Sequence, residues 1–210
     1  MKTLIGIPCM DMCHTAFMQS LLEMRKPGEV EYCIPCSSLV YDARNEIAQR
    51  AVDGDFDYVL WLDSDMMFEP EFMEQLLADL TDGREMVTAV AFKRITPFTP
   101  CIYRACGVSV GEDGRKAAEA VGFRNYPKDS VFEVAACGFA CVMMTTDFLR
   151  RIMGRFGRWP FSPVTGFGED MSFCLRAKEA GGTIWADSRP YIGHVGTFVY
   201  SRDNCNNLEG

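Results

Sequence analysis

Short apolar runs alternate with stretches of helical spacing along the first half of this chain. Residues 3–9, 30–36, 57–62 and 86–92 are apolar runs of strand length. Between them, Phe17, Leu21, Leu22 and Met24 recur near helical spacing in 14–25, and Ala43, Ile47, Ala48 and Ala51 do so in 41–53. A third helix, 70–80, is expected to open at Pro70, since a first helical turn has no use for the N–H that proline lacks. This alternation predicts right-handed crossovers and a mostly parallel sheet flanked by helices, the α/β class. The second half is less regular. Strands are expected at 99–104 and 131–136, separated by a Gly- and charge-rich stretch, 111–130. An apolar segment 138–144 follows, then a helix 146–153 beginning near Thr146-Asp147 and a loop 154–168 rich in Gly, Pro and aromatics. A helix 169–180 stops at Gly181-Gly182, and a short strand 183–186 comes next. The tail from 193 onward is polar and is expected to be partly mobile.

The run Tyr-Val-Leu-Trp-Leu at 58–62 carries the sharpest chemical signal, because Asp63 and Asp65 follow it at once. So apolar a run reads as a buried strand, and an unpartnered carboxylate is costly to bury, so the acids belong where the strand emerges. In a parallel sheet that place is the C-terminal edge, where ligands bind. Two carboxylates there suit Mg²⁺ or Mn²⁺, hard ions that accompany phosphates; an ordinary charged turn is the plain alternative. The chain has no G-x-x-x-x-G-K-[ST] loop, and its first strand ends in Pro8-Cys9 without a G-x-G-x-x-G turn. A bound diphosphate would therefore depend mainly on the ion.

Other residues could share this chemistry. Arg44-Asn45 opens the second helix and could contact base, ribose or phosphate; a surface ion pair and a solvated amide are the simpler expectation. Glu169-Asp170 begins a helix, where the dipole favours acids; a general base or an orienting carboxylate is the functional alternative. Trp159, Phe161 and Phe167 in the loop before it suit a lid or a sugar platform, or plain core. His194 lies between two glycines in an apparent loop, accessible to an ion such as Mn²⁺ or simply solvated. His14 reads as a helix-start residue.

Composition narrows the field. The chain has 210 residues, 48% of them hydrophobic, which is enough for one sizeable core and predicts one domain, 1–210. The net charge of -8 leaves no broad basic footprint for nucleic acid. The apolar run 134–144 is too short to span a bilayer, and the start reads as a strand without a signal peptide's apolar region. A cytoplasmic location is expected. Ten cysteines, mostly in apolar runs such as those of Cys33, Cys137, Cys141 and Cys174, read as reduced buried thiols. A zinc site from Cys9, Cys13, His14, Cys33 and Cys36 is the weaker alternative, because three residues along a strand reverses the face.

Taken in order, these residues resemble a GT-A glycosyltransferase of the family 2 type over about residues 2–196. The resemblance rests on Pro8, Ala43-Arg44-Asn45, Leu62-Asp63-Ser64-Asp65, the apolar segment 138–144, Gly168-Glu169-Asp170 and His194. It implies a nucleotide-binding half, about 1–95, merged with an acceptor-binding half, about 96–200, with a smaller acceptor-side sheet. It implies a metal-dependent glycosyltransferase that moves a sugar from a nucleotide-sugar donor, of the UDP-sugar type, to an acceptor hydroxyl on a carbohydrate, lipid-linked or protein acceptor. Asp65 resembles the metal ligand of the D-x-D motif, and His194 the histidine that completes that site. Asp63 resembles the residue that contacts ribose, or the ion through water, with Ser64 beside it in the donor site. Pro8, Arg44 and Asn45 match nucleotide-side positions. Asp170, with Glu169, matches the acid motif that serves as base in inverting members. There are departures. The chain is short for the family, Ser37-Ser38 replaces the usual acid after the second strand, with Asp42 a possible substitute, and the Q-x-x-R-W motif of processive synthases is absent. That favours single-sugar transfer. A sugar-phosphate nucleotidyltransferase and a non-catalytic binding module of the same fold are the competing expectations.

Overall fold

The structure, a computed structural model, describes residues 1–110, 113–114, 116–164, 166–196 and 200–202. The first half runs β1 (Lys2–Gly6), α1 (Thr15–Glu23), β2 (Glu29–Cys33), α2 (Val40–Asp53), β3 (Tyr58–Leu62), β4 (Met66–Phe68), α3 (Phe72–Thr81) and β5 (Met86–Ala89). The second half runs β6 (Ile102–Val110), β7 (Lys116–Gly122), β8 (Val131–Val134), β9 (Ala136–Cys137), β10 (Cys141–Thr145), α4 (Thr146–Phe156), α5 (Glu169–Glu179), β11 (Ile184–Asp187), β12 (Ile192–His194) and β13 (Tyr200–Ser201).

A seven-stranded sheet in the order β2-β1-β3-β10-β5-β11-β8 forms the centre. β1 pairs in parallel with β2 and β3, while β10 lies antiparallel between β3 and β5. β3 and β5 therefore point the same way, β11 follows β5, and β8 opposes β11. The sheet is mostly parallel, as the alternation predicts. Two three-stranded sheets, β13-β12-β4 and β7-β6-β9, stand beside it, where one smaller sheet was expected.

Side chains that alternate along each strand feed two apolar layers. Val59 and Trp61 of β3, with Val142 and Met144 of β10, pack beneath Ile47 and Ala51 of α2, Phe148 and Ile152 of α4, and Phe173 and Ala177 of α5. Leu60, Leu62 and Met143 face Phe17 and Leu21 of α1 and Met73, Leu76 and Leu80 of α3 on the other side. Coverage of both faces explains why 58–62 reads as an unbroken apolar run. At Gly6, α2 approaches so closely that a Cβ would run into the Ile47 side chain.

Several boundaries move. α3 begins at Phe72, and Pro70 lies before it, its carbonyl accepting a hydrogen bond from Arg25 N at 2.8 Å. The stretch 111–130 contains β7, which hairpins against β6; its small, polar composition hides a strand that is paired only at the sheet's margin. The tail is ordered in β12 and β13, whereas the remainder of that expectation, 197–199 and 203–210, lies outside the described residues. Among the described residues no helix is long and apolar enough to cross a membrane.

Candidate active site

Because β1, β3 and β5 run in one direction, their C-terminal ends share one edge, and β10 starts there because it runs the other way. Pro8 is buried just past β1 on this edge. Asp63 leaves β3 with its N–H bonded to Ala140 O at 2.9 Å, which holds the acid-bearing turn against the chain entering β10. His14 N bonds to Ser64 O at 3.0 Å, and the His14 ring caps α1 by accepting from Ala16 N at 3.1 Å. His14 is thus the helix-start residue that its position suggests.

Arg44 is not on the surface, and Asn45 is not solvated. Both are buried in α2. The Arg44 guanidinium bonds through Nη2 to Asp63 Oδ1 at 2.9 Å and through Nη1 to Glu169 Oε1. It also lies over the Phe139 ring, 5.6 Å from its centroid. Burial alone would weaken its hold on the proton, but Asp63, Glu169 and Asp170 reverse that and keep it charged. Asn45 Oδ1 accepts a hydrogen bond from Phe161 N at 2.9 Å, which ties the aromatic loop to α2. Phe161 itself is fully buried against Trp61, Phe139 and Phe173, and Phe167 packs on the same core. Those two are core, not a sugar platform; of the three aromatics Trp159 is the one left exposed.

Asp65 sits one residue before β4, a strand too short to leave a periodic signal. β4 pairs antiparallel with β12 in a register that sets His194 opposite Met66. His194 is therefore on a strand, not in a loop, and only 14% of its side chain is exposed. Its Nε2 lies 3.3 Å from Asp65 Oδ1 and its Nδ1 lies 3.0 Å from Phe92 O. Phe92 O and the Asp65 carboxylate both only accept, so both contacts call for a donor, Nδ1–H toward Phe92 and Nε2–H toward Asp65, and a metal ion would take the place of the Nε2 proton. Burial would neutralise both groups. For His194, the Asp65 and Phe92 hydrogen bonds outweigh burial and raise its pKa. For Asp65, the His194 hydrogen bond and charge and the Arg94 guanidinium outweigh it and lower its pKa.

A carboxylate oxygen and an imidazole nitrogen aimed into one space fit a divalent ion of the Mn²⁺ type. Among the described residues no group of three or more His, Cys, Asp or Glu is gathered to hold a metal. An ion there would draw its other ligands from water or phosphate, as Mg²⁺ and Mn²⁺ commonly do.

Asp170 faces the same edge from the start of α5, whose N-cap is Gly168. Its Oδ1 accepts a hydrogen bond from Met171 N at 2.7 Å, and a Cβ on Gly138 would lie 3.8 Å from its Oδ2. Burial raises its pKa, and the neighbouring Glu169 and Asp63 charges add to this against the Met171 N–H and Arg44. Half-buried Tyr103 stands near enough for Asp170 to contribute, after burial, to pushing its phenol up to about 12.

Arg94 is the functional candidate absent from the sequence reading. Its Nη1 lies 2.6 Å from Asp65 Oδ2. The available signal was the pair Lys93-Arg94 directly after an apolar run. Ser37 and Ser38 remain on the loop after β2, with Ser37 Oγ accepting from Leu39 N at 3.1 Å, and Asp42 is exposed. The described cysteines are free thiols; Cys9 Sγ and Cys36 Sγ each turn to a backbone carbonyl, of Met12 and Met10. A cavity of about 530 Å³ lies along α5, lined by Val108, Phe156, Val164, Leu175 and Arg176 among others. None of Asp63, Asp65, Glu169 and Asp170 lines it, so chemistry and not concavity marks the site.

No family model and no curated protein matches the sequence. Solved structures do. A197 from STIV superposes with a TM-score of 0.68 at 18% identity, covering 97% of this chain and 92% of that one. TarS 1–349 from S. aureus superposes with a TM-score of 0.53 at 12% identity, covering 90% of this chain and 58% of that one. The fold is GT-A-like. At these identities the likeness concerns the fold alone, and the chemistry rests on the residues gathered at its edge.

Proposed function

We propose that this protein is a metal-dependent glycosyltransferase that moves one sugar from a nucleotide-sugar donor, of the UDP-sugar type, to an acceptor hydroxyl. The observation that carries the reading is the bridge from the buried Arg44 to Asp63 and Glu169, which holds the Asp63-Ser64-Asp65 turn and the Glu169-Asp170 turn on one sheet edge. The GT-A-like fold supports it. Asp65 and His194 would hold Mn²⁺ or Mg²⁺, with Asp63 and Ser64 on the ribose and the ion's water shell, and Pro8 and Asn45 lining the nucleotide side. Arg44 acts by locking Asp63 in place. When bound, the ion neutralises charge on the departing diphosphate.

Asp170 faces the acceptor. In a direct displacement its carboxylate takes the hydroxyl proton, the acceptor oxygen bonds to the sugar's anomeric carbon, and the bond from that carbon to the phosphate oxygen breaks. A nucleoside diphosphate leaves. Burial raises the pKa of this carboxyl, and a carboxylate with a raised pKa is a stronger base than an exposed one. Calorimetry with UDP and GDP, with and without Mn²⁺, tests the donor site. Binding of one of them only in the presence of Mn²⁺ is expected, and indifference to the metal would overturn the reading. Release of free nucleoside diphosphate from the donor separates an enzyme from a binding module.

A further inference from the structure

Arg94 occupies a place that the donor-site reading leaves unused, and the inference here rests on that reading. Its Nη1 holds Asp65 Oδ2 at 2.6 Å and touches Val195 O at 3.4 Å. Among the described residues these are its hydrogen bonds, so Nε and Nη2 are uncommitted. Arg44 differs: both of its Nη atoms are engaged, and its Nε is buried without a partner. Arg94 is also half-exposed, at 48% for its side chain, on a surface segment that includes the exposed Ile95. Its neighbour Lys93 leans the other way, over the Tyr103 ring at 5.8 Å.

We propose that Arg94 is a placeholder cation that exchanges Asp65 for the donor's diphosphate. With no ion bound, its guanidinium neutralises the same carboxylate that would ligate the metal. A divalent ion on Asp65 and His194 makes that contact redundant. The freed fork then lies beside the ion, where the second phosphate of a nucleoside diphosphate would sit. A guanidinium pairs with phosphate through two parallel N–H bonds, which an ammonium does not offer. Exchange is cheap because a half-exposed ion pair is worth little in water. The chain, which lacks a glycine-rich phosphate loop, would thus supply one direct protein contact to the diphosphate.

The test compares wild type with Arg94→Gln by calorimetry, first with Mn²⁺ alone, then with UDP, GDP and UMP at saturating Mn²⁺. Two opposite shifts are expected. Mn²⁺ alone binds several-fold tighter to the variant, because its competitor is gone. The diphosphate that wild type prefers binds about tenfold more weakly, the loss of a charge-assisted pair. UMP, without a second phosphate, binds both proteins equally. Affinities that are unchanged, or that all fall together, would overturn the role of Arg94. Wild type that ignores Mn²⁺ would overturn the donor-site reading instead. A melting temperature within a few degrees of wild type shows that the variant is folded, as expected for a half-exposed side chain.

Discussion

Arg44 and Asp63 form an ion pair at 2.9 Å in which only 5% of the arginine side chain reaches solvent. Removing one partner of a buried pair leaves the other charged and unpaired, which costs about 3–5 kcal/mol. Here two carboxylates, Asp63 and Glu169, would lose their common cation. Arg44→Met is expected to lower stability by up to about that amount in urea unfolding, since Asp63 and Glu169 keep some contact with water. The triple variant with Asp63→Asn and Glu169→Gln should recover much of it; no recovery would show that the guanidinium acts by packing alone.

Asp65 and His194 are expected to act together on the metal. Asp65→Ala should abolish Mn²⁺-dependent nucleotide binding, and His194→Ala should weaken Mn²⁺ by at least the roughly 10–100-fold seen when a metal ligand loses only its supporting partner. Titration of Mn²⁺ followed by its electron spin resonance signal measures both. Equal affinity in His194→Ala would remove that residue from the site.

Asp170→Asn keeps the shape of the side chain and removes the base. Nucleotide and Mn²⁺ binding should stay within about threefold of wild type, while transfer falls by about 10²–10⁴. The ionised carboxyl is the active form, so transfer by wild type should rise with pH as it passes a pKa above the ordinary aspartate value. A transfer rate that survives in Asp170→Asn would assign the base elsewhere.

A second acid pair bears on stability. Arg189 joins Asp79 at 2.6 Å and Asp187 at 2.9 Å, and both acids are buried. Burial and the Asp187 charge push Asp79 up to about 6 in spite of Arg189. The folded chain then holds this proton more tightly than the unfolded chain does. Its contribution is complete below the unfolded pKa of about 4 and is lost as pH rises through about 6. The stability difference between wild type and Asp79→Asn should therefore shift by about 1–3 kcal/mol between pH 4 and pH 7.5, with wild type the relatively weaker at the higher pH. A difference independent of pH would refute the shifted acid.

Gly6 and Ile47 test the packing of α2 on β1. A Cβ on Gly6 overlaps Ile47, so Gly6→Ala should cost about 1–3 kcal/mol. In the double variant with Ile47→Ala the two losses should sum to less than their separate values. Strict additivity in denaturant titrations would place the strain elsewhere.

Much of this was legible in local spacing. Strands β1, β2, β3 and β5 and helices α1, α2 and α5 lie within a few residues of the expected positions, because one covered face or two leave a plain period in the sequence. β4 and β7 were not legible: one is three residues long, and the other is built of small and polar residues at a sheet margin. The aromatics of 154–168 were ambiguous for another reason, since composition does not say which ring turns inward.

The sequence by itself determined that two acids follow a buried strand, that a second acid pair starts a helix, and that no glycine-rich loop stands ready for phosphate. These depend on neighbours within a turn or a strand. Only the tertiary structure decided which charges meet. The antiparallel insertion of β10, the β4–β12 register and the burial of Arg44 bring Asp63 to Glu169 and Asp65 to His194 and Arg94. Strand pairing and the desolvation of a charge are set by contacts between segments distant in the chain, and local periodicity holds no record of them.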